Sequence, residues 1–417
     1  MRVIIRAVLT ASVAAILAGS SIAPASAFTR LTEGQSHLRT DMTSTSNPAG
    51  TPAFAAASKL RIATFNTSLN REYAGALASD LSTPQNAQGR AVAEIVQRSA
   101  PDILLVNEFD YDAKGESAGY FRTNYLAVGQ NGQDGIDYPY VYAAPSNTGV
   151  PSGADLDRDG TVGGPADALG YGDFEGQYGM VLYSRYPILT GQVRTLQNFL
   201  WADMPDSRLP TDFYSPLKRK VLRLPSKSQW DVPVQVGDAV IHVIAAHPTP
   251  PVFDGPEKRN QRRNHDEIRL INDYVTGGKA AKYIYDDAGK RGGLAKGEKF
   301  VVLGDLNSDP ARGDSDPVAI TSLLGNKLLR DVKPASPSVT GDPIPGQPVT
   351  ENVNTADFGR GALGMLRVDY VLPSRNLLPE AAGVFWPGPG SPGNLLVSGW
   401  PSASSDHRLV WVDVKAP

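Results

Sequence analysis

Apolar positions recur along this chain with two different periods. Leu60–Phe65 is an apolar run of strand length, and Ile103–Val106, Met180–Tyr183, Val240–Ala246, Phe300–Leu303, Val368–Leu372 and Leu409–Val414 repeat it. Gln88–Ser99 instead places Val92, Ile95 and Val96 on one helical face, and Pro101 ends it. Pro256–Val275 reads as a second helix, with Ile268, Ile271 and Val275 inward and a very polar first half. Strands recur to the end, with no repeat and no second hydrophobic unit after a linker. The pattern therefore predicts one α/β domain over residues 59–416. Asn131–Gly176, Leu200–Lys227 and Pro334–Gly364 are rich in Gly, Pro and Asp and read as surface insertions.

The N-terminus breaks this pattern. Two arginines within Met1–Arg6 precede a nearly all-apolar Ala7–Ala18, and Ala25-Ser26-Ala27 offers a small-residue cleavage site. The apolar run is too short for a membrane span. Residues 1–27 are expected to be a signal peptide, which implies export from the cell. Residues 28–58, rich in Ser, Thr, Ala and Pro, are expected to be a flexible leader.

Composition adds limits. Of 417 residues, 41% are hydrophobic and 20% charged, an ordinary globular balance. Cysteine is absent, which excludes disulfides, thiolate nucleophiles and Cys-bound zinc. The formal net charge is −3, and removing 1–27 takes Arg2 and Arg6 but no acid, leaving −5. A binder of long nucleic acid usually carries a basic surplus, so this weighs modestly against a nuclease.

Polar residues with chemical potential gather where the predicted strands end. Asn66 follows Leu60–Phe65, Glu108 follows Ile103–Val106, and His247 follows Val240–Ala246. Asp305 and Asn307 follow Phe300–Leu303, and Asp406 and His407 precede the last strand. Strand ends lie on one rim of a sheet, where loops gather side chains into a site. Any one of these residues alone is more often a turn former or helix cap. Only five histidines exist, and two fall in these positions.

These segments resemble the endonuclease/exonuclease/phosphatase superfamily, in the form of a secreted bacterial-type member. Ala63-Thr64-Phe65-Asn66 is similar to its first motif, and Asp102–Glu108 to its second, with Asn107 where many members have Gln. Tyr178–Ile188 resembles its central strand pair, and Ala246-His247-Pro248 its catalytic histidine segment. Val302-Leu303-Gly304-Asp305-Leu306-Asn307, Arg367–Val371 and Ser405-Asp406-His407 complete an ordered set. The resemblance implies a DNase I-like four-layer α/β sandwich, two packed mixed or mainly antiparallel sheets flanked by helices.

It also implies a metal-dependent hydrolase of phosphoric ester bonds working by in-line water attack, with Mg²⁺ or Mn²⁺ as cofactor. Glu108, Asn66 and Asp406 are then the expected metal ligands. Asp305 is expected to deprotonate the water, with the His407–Asp369 pair as the other candidate base. Asn307, His247 and His407 are expected to contact the phosphoryl group, and Asp369 to hold His407 in one tautomer. The expected substrate is a small extracellular phosphomonoester or phosphodiester. The alternatives are an extracellular DNase- or RNase-type nuclease, a sphingomyelinase-type phospholipase C and, disfavoured because every polar position is filled, a non-catalytic binding module. No partner protein and no membrane insertion after signal cleavage are inferred.

Three further features bear on ligands. Asp155-Leu156-Asp157-Arg158-Asp159-Gly160 copies the first half of a calcium loop, but Ala166 stands where an EF-hand needs Glu. Asp155, Asp157 and Asp159 thus offer a structural Ca²⁺ site, against the plainer reading of an acidic turn. Basic residues run through Lys218-Arg219-Lys220, Arg223 and the predicted second helix. There Arg259, Arg262 and Arg263 are candidate phosphate contacts, against the reading of a solvated helix face. The proline-rich His247–Pro256 segment is a candidate wall of the pocket, with Phe253 and Trp230 as candidate aromatics, against the plainer reading of core packing for Trp230.

Overall fold

The computed structural model of the chain describes residues 58–336, 353–359 and 364–417. The expected signal peptide, almost all of the expected leader and much of the Pro334–Gly364 insertion lie outside the described residues.

Two sheets pack face to face. One has six strands in the order β12 (Pro379–Val384), β13 (Val410–Lys415), β1 (Lys59–Leu69), β2 (Ile103–Phe109), β4 (Met180–Ser184) and β3 (Tyr140–Tyr142). The other has five, in the order β11 (Asp369–Pro373), β8 (Lys299–Asp305), β7 (Ala239–Ala246), β6 (Gln229–Val236) and β5 (Arg194–Thr195). Both are mixed: β1 and β2 run parallel, β7 and β8 run parallel, and the other pairs are antiparallel. A hairpin, β9 (Ala356–Asp357) with β10 (Met365–Leu366), stands apart. This is the layered fold the sequence predicted.

Strand alternation builds two cores. In β7 and β8, Val243, Ala245, Val301 and Leu303 face the other sheet and pack with Phe65 and Leu105. Their neighbours Ile244, Ala246, Phe300 and Val302 point outward onto the helix Arg259–Thr276, meeting Ile268, Ile271 and Tyr274. The helix starts three residues later than the periodicity suggested. Trp230 is buried, edge-on to Tyr142 at 5.2 Å, so it belongs to the core rather than to a pocket.

The sequence pattern missed β6. Pro233 sits mid-strand, where it pairs toward His242 of β7, and its carbonyl accepts from Leu189 N–H. β5 is only two residues long and pairs further along, at Trp230 and Asp231, so no ladder donor is required at Pro233.

Candidate active site

The central strands deliver their ends to one rim. Asn66 and Glu108 lie at the ends of β1 and β2, which are in register as parallel neighbours from Ile62 and Ile103 onward. Asp305 ends β8, and antiparallel β11 sets Asp369 directly opposite it. His407 precedes β13, where the segment bridges to Ala356 of the small hairpin and Asp357 N–H bonds the Asp406 carbonyl. Two of these residues hold a left-handed backbone without being glycine, Glu108 at φ 54° and Asn307 at φ 50°, a strain that clusters at functional sites. Gly304 is required for a different reason. At φ 145° a Cβ there would lie 1.9 Å from the Ala246 carbonyl oxygen, on neighbouring β7.

Asp305 is the hub. It is 1% exposed. Its Oδ2 accepts from Asn66 Nδ2 at 3.0 Å and lies 3.5 Å from His247 Nε2 and 3.7 Å from His407 Nε2. Its Oδ1 accepts from the Asn307 N–H at 2.8 Å. Asn66 Nδ2 also reaches Glu108 Oε1 at 3.0 Å, and His407 Nδ1 meets Asp369 Oδ2 at 2.9 Å. Asp406 stands slightly apart, its Oδ1 accepting from Ser68 Oγ at 3.1 Å. Asn307 Nδ2 donates to the Pro248 carbonyl at 3.1 Å, tying its loop to the His247 segment. The structure therefore brings the seven strand-end residues and Asp369 together.

Electrostatics divides the two histidines. Burial disfavours a charged His407, but Asp369 and Asp305 outweigh it and raise its pKa well above the usual histidine value. His247 goes the other way: burial, then Lys227 and His407, hold it neutral. Charged donation thus falls to His407 alone. Burial also raises Glu108, with Asp406 adding repulsion, and pushes Asp305 up to about 7 with a further contribution from Asp369.

Those shifts test whether a metal fits. Four carboxylates, Glu108, Asp305, Asp369 and Asp406, converge on the rim, and Asp369 Oδ1 is buried with no protein partner. This excess of hard oxygen donors suits a hard divalent ion. Asp305, Asp369 and His407 bring one ligand atom each within 4.8 Å of one another. Glu108 and Asp406 lie near enough to repel one another. Asn66 Oδ1, by contrast, accepts from its own Ser68 N–H at 3.2 Å, so an oxygen ligand from Asn66 requires its amide to turn over.

One charged neighbour escaped the sequence reading. Lys227, 5% exposed, lies under the electrostatic influence of Glu267, Glu108 and Asp305, which oppose the lowering of its pKa by burial. It sits at the end of the Leu200–Lys227 insertion, just before β6, where no periodicity marked it. Its only mark is its place two residues before β6.

The candidate phosphate contacts on the helix Arg259–Thr276 lie elsewhere. Arg263 is buried, and its Nε and Nη2 donate to the carbonyls of Leu224, Leu169 and Arg223 at 2.8, 2.7 and 2.8 Å, so three of its five N–H groups are already used. Arg259 donates to the Ala166 carbonyl at 3.1 Å, and Arg262 is partly exposed on the same helix. Phe253 is 97% exposed and walls nothing.

In the candidate calcium loop, Asp155, Asp157 and Asp159 bring one carboxylate oxygen each within 4.8 Å of one another. Each also accepts from a backbone N–H two or three residues on, and Lys218 Nζ bonds the Asp155 carbonyl. Buried Asp167 accepts from Leu156, Asp157 and Gly163 N–H groups and closes the loop from below.

Comparison with known proteins agrees with this layout. A model of the endonuclease/exonuclease/phosphatase family matches residues 63–407. An endonuclease/exonuclease/phosphatase from Beutenbergia cavernae is similar in structure, with a TM-score of 0.50 and 17% identity over 86% of this chain and 72% of that one. A 3'-5' exonuclease from Neisseria meningitidis aligns with a TM-score of 0.41 and 15% identity, over 85% and 98% of the two chains. Sphingomyelinase C from Streptomyces griseocarneus aligns at 0.42 and 15%, over 85% and 99%. No curated protein sequence matches.

Proposed function

Because the chain belongs to the endonuclease/exonuclease/phosphatase family, whose members hydrolyse phosphoester bonds, we propose that it is an exported, divalent-metal-dependent hydrolase of small phosphomonoesters or phosphodiesters. The observation that carries the reading is Asp305 Oδ2, an acceptor held among Asn66, His247 and His407 with all distances between 3.0 and 3.7 Å. Export rests on the character of residues 1–27.

Glu108 and Asp406, with Asn66 turned over, would hold the ion. When bound, a divalent ion supplies Lewis-acid stabilisation of charge growing on the phosphoryl oxygens. The protein groups do the rest. Asp305 Oδ2 orients water for in-line attack and takes its proton. His407, kept cationic by Asp369, stabilises a phosphoryl oxygen, and neutral His247 and the free Nδ2 hydrogen of Asn307 donate beside it. Lys227 adds a buried positive charge, which favours the more negative transition state over the ground state. The cationic state of His407 favours Asp305 over the His407–Asp369 pair as the base.

A cleft of about 490 Å³ includes Asp110, two residues after Glu108 in the chain, and none of the eight site residues. Its walls include Leu77, Asp110, Tyr111, Pro145, Phe174 and Arg223, drawn partly from the two insertions around 131–176 and 200–227. Among the described residues, no helix is long and apolar enough to cross a membrane. The test is turnover by purified protein of p-nitrophenyl phosphate, its bis-ester, DNA and sphingomyelin, with Mg²⁺, Mn²⁺ or Ca²⁺. Hydrolysis of the small esters supports the reading. Turnover of DNA alone, or activity that survives a chelator, overturns it.

A further inference from the structure

One turn of the helix Arg259–Thr276 does something its amphipathic pattern does not require. Arg263, Asn264 and Glu267 are 5%, 0% and 5% exposed, in the turn before buried Leu270, Ile271 and Tyr274, and His265 and Asp266 between them are buried as well. Burying such polar groups is costly unless each finds strong partners. Apart from the Leu169 carbonyl bonded by Arg263, their partners are backbone groups of the loops that carry the site.

Glu267 accepts from the Ser226 N–H and the Thr249 N–H, each at 2.6 Å. Ser226 precedes Lys227, and Thr249 follows His247 by two residues. Asn264 Nδ2 donates to the Thr249 carbonyl at 2.9 Å and the Leu306 carbonyl at 3.0 Å, and Leu306 precedes Asn307. The same helical turn thus grips the loop before β6, the loop after β7 and the loop after β8. Thr249 is held at both its N–H and its carbonyl, which fixes the peptide planes beyond His247 in rotation as well as in position. Charge-assisted bonds from backbone N–H to carboxylate are the stronger kind.

We propose that Glu267 and Asn264 are positioning residues that set Lys227, His247 and Asn307 relative to one another, so that these phosphoryl-facing groups are aligned as one body. The inference rests on the phosphoesterase reading of the site and concerns residues that touch no substrate. Misplacement of a catalytic group by about 1 Å can cost about 100-fold in rate, so a positioning role leaves a kinetic mark that exceeds any loss of folding.

The experiment uses full-length protein with Mg²⁺ and bis(p-nitrophenyl) phosphate. Glu267→Gln keeps the side chain's volume but turns one of its two acceptors into a donor. A second variant, Asn264→Ser, loses the reach to both carbonyls and serves if the first fails to fold. Asn272→Ala is the control. Asn272 lies on the same helix, and its loss removes bonds to Ser322 and Asn326 of a neighbouring segment, away from the site. The positioning variants are expected to lose at least about tenfold in kcat with KM within about threefold. The control should lose melting temperature and keep kcat within twofold.

A second readout is independent of turnover. With only five histidines, the His247 ring resonance is assignable by its loss in His247→Gln. It should shift in Glu267→Gln and stay in place in Asn272→Ala. Unchanged kcat in Glu267→Gln, or an unmoved His247 resonance, overturns the proposal. If the wild-type protein hydrolyses none of the phosphoesters, the functional reading falls, and the resonance alone decides the positioning claim.

Discussion

Replacing Asp305 by Asn should separate what the chemistry needs from what the fold prefers. Burial and the Asp369 charge outweigh His407 and the hydrogen bonds, and they push this carboxyl from 3.8 to about 7. The folded value lies above the unfolded one. The stability contributed by the neutral form is therefore complete below about pH 4 and is lost as pH rises through 7. Above that pH the ionised group carries a cost of about three pKa units, or about 4 kcal/mol. Asparagine has no such cost, but its NH₂ would face the Asn66 NH₂ and forfeit a buried hydrogen bond, about 1–2 kcal/mol. The net gain in metal-free protein at pH 8 is about 2–3 kcal/mol. An unfolding entropy of about 2 cal/mol/K per residue over about 340 described residues converts this to a rise of about 3–4 °C in melting temperature. Scanning calorimetry with a chelator measures it, and the gain should vanish near pH 5, where the cost of keeping Asp305 neutral in the fold has shrunk to about 1–2 kcal/mol and only offsets the lost hydrogen bond. With Mg²⁺ present, kcat should fall by about 10²–10⁴-fold for loss of a general base. A melting temperature that drops at pH 8 would refute the electrostatic reasoning, and a kcat loss under tenfold would refute the catalytic role.

Three other outcomes follow from the same geometry. Lys227→Met should lower kcat by about 10²-fold or more by removing a charge aimed at the transition state, read in the same ester assay. His242→Gln probes a group remote from the site. Burial opposes its charge, but the hydrogen bond and charge of Asp231, 2.7 Å away, win and raise its pKa above 6.5. Its stabilisation is full below about pH 6.5 and fades as pH climbs through the raised value, so the substitution should cost more melting temperature at pH 5.5 than at pH 9. Millimolar Ca²⁺ should raise the melting temperature of wild-type protein, and Asp157→Asn with Asp159→Asn should abolish that rise; a rise that persists assigns the calcium effect to another place.

Much of the layout was legible because this chemistry sits at strand ends, and strand ends are marked by the switch from an apolar run to a polar residue. Asn66, Glu108, His247, Asp305 and His407 all stand at such a switch. Lys227 has no such mark: it lies inside a polar insertion and enters the site through burial. Arg263 was misread for a related reason. Its spacing from Glu267, Leu270, Ile271 and Tyr274 puts it on the inward stripe, a signal that outweighs its charge when the helix covers backbone carbonyls. The hairpin β9–β10 could not be read, because two-residue strands carry no period.

The bond from Asn66 Nδ2 to Asp305 Oδ2 joins a residue of one sheet to a residue of the other. Asn66, Glu108, Asp406 and His407 hang from the six-stranded layer, and His247, Asp305, Asn307 and Asp369 from the five-stranded layer. Neither layer holds a working half. Turnover is thereby a ruler laid across the seam between them: a small slip of one sheet over the other silences the enzyme while each sheet keeps its own ladder intact. Trimming a seam side chain such as Phe65 would then extinguish hydrolysis at a temperature where circular dichroism still reports a folded protein.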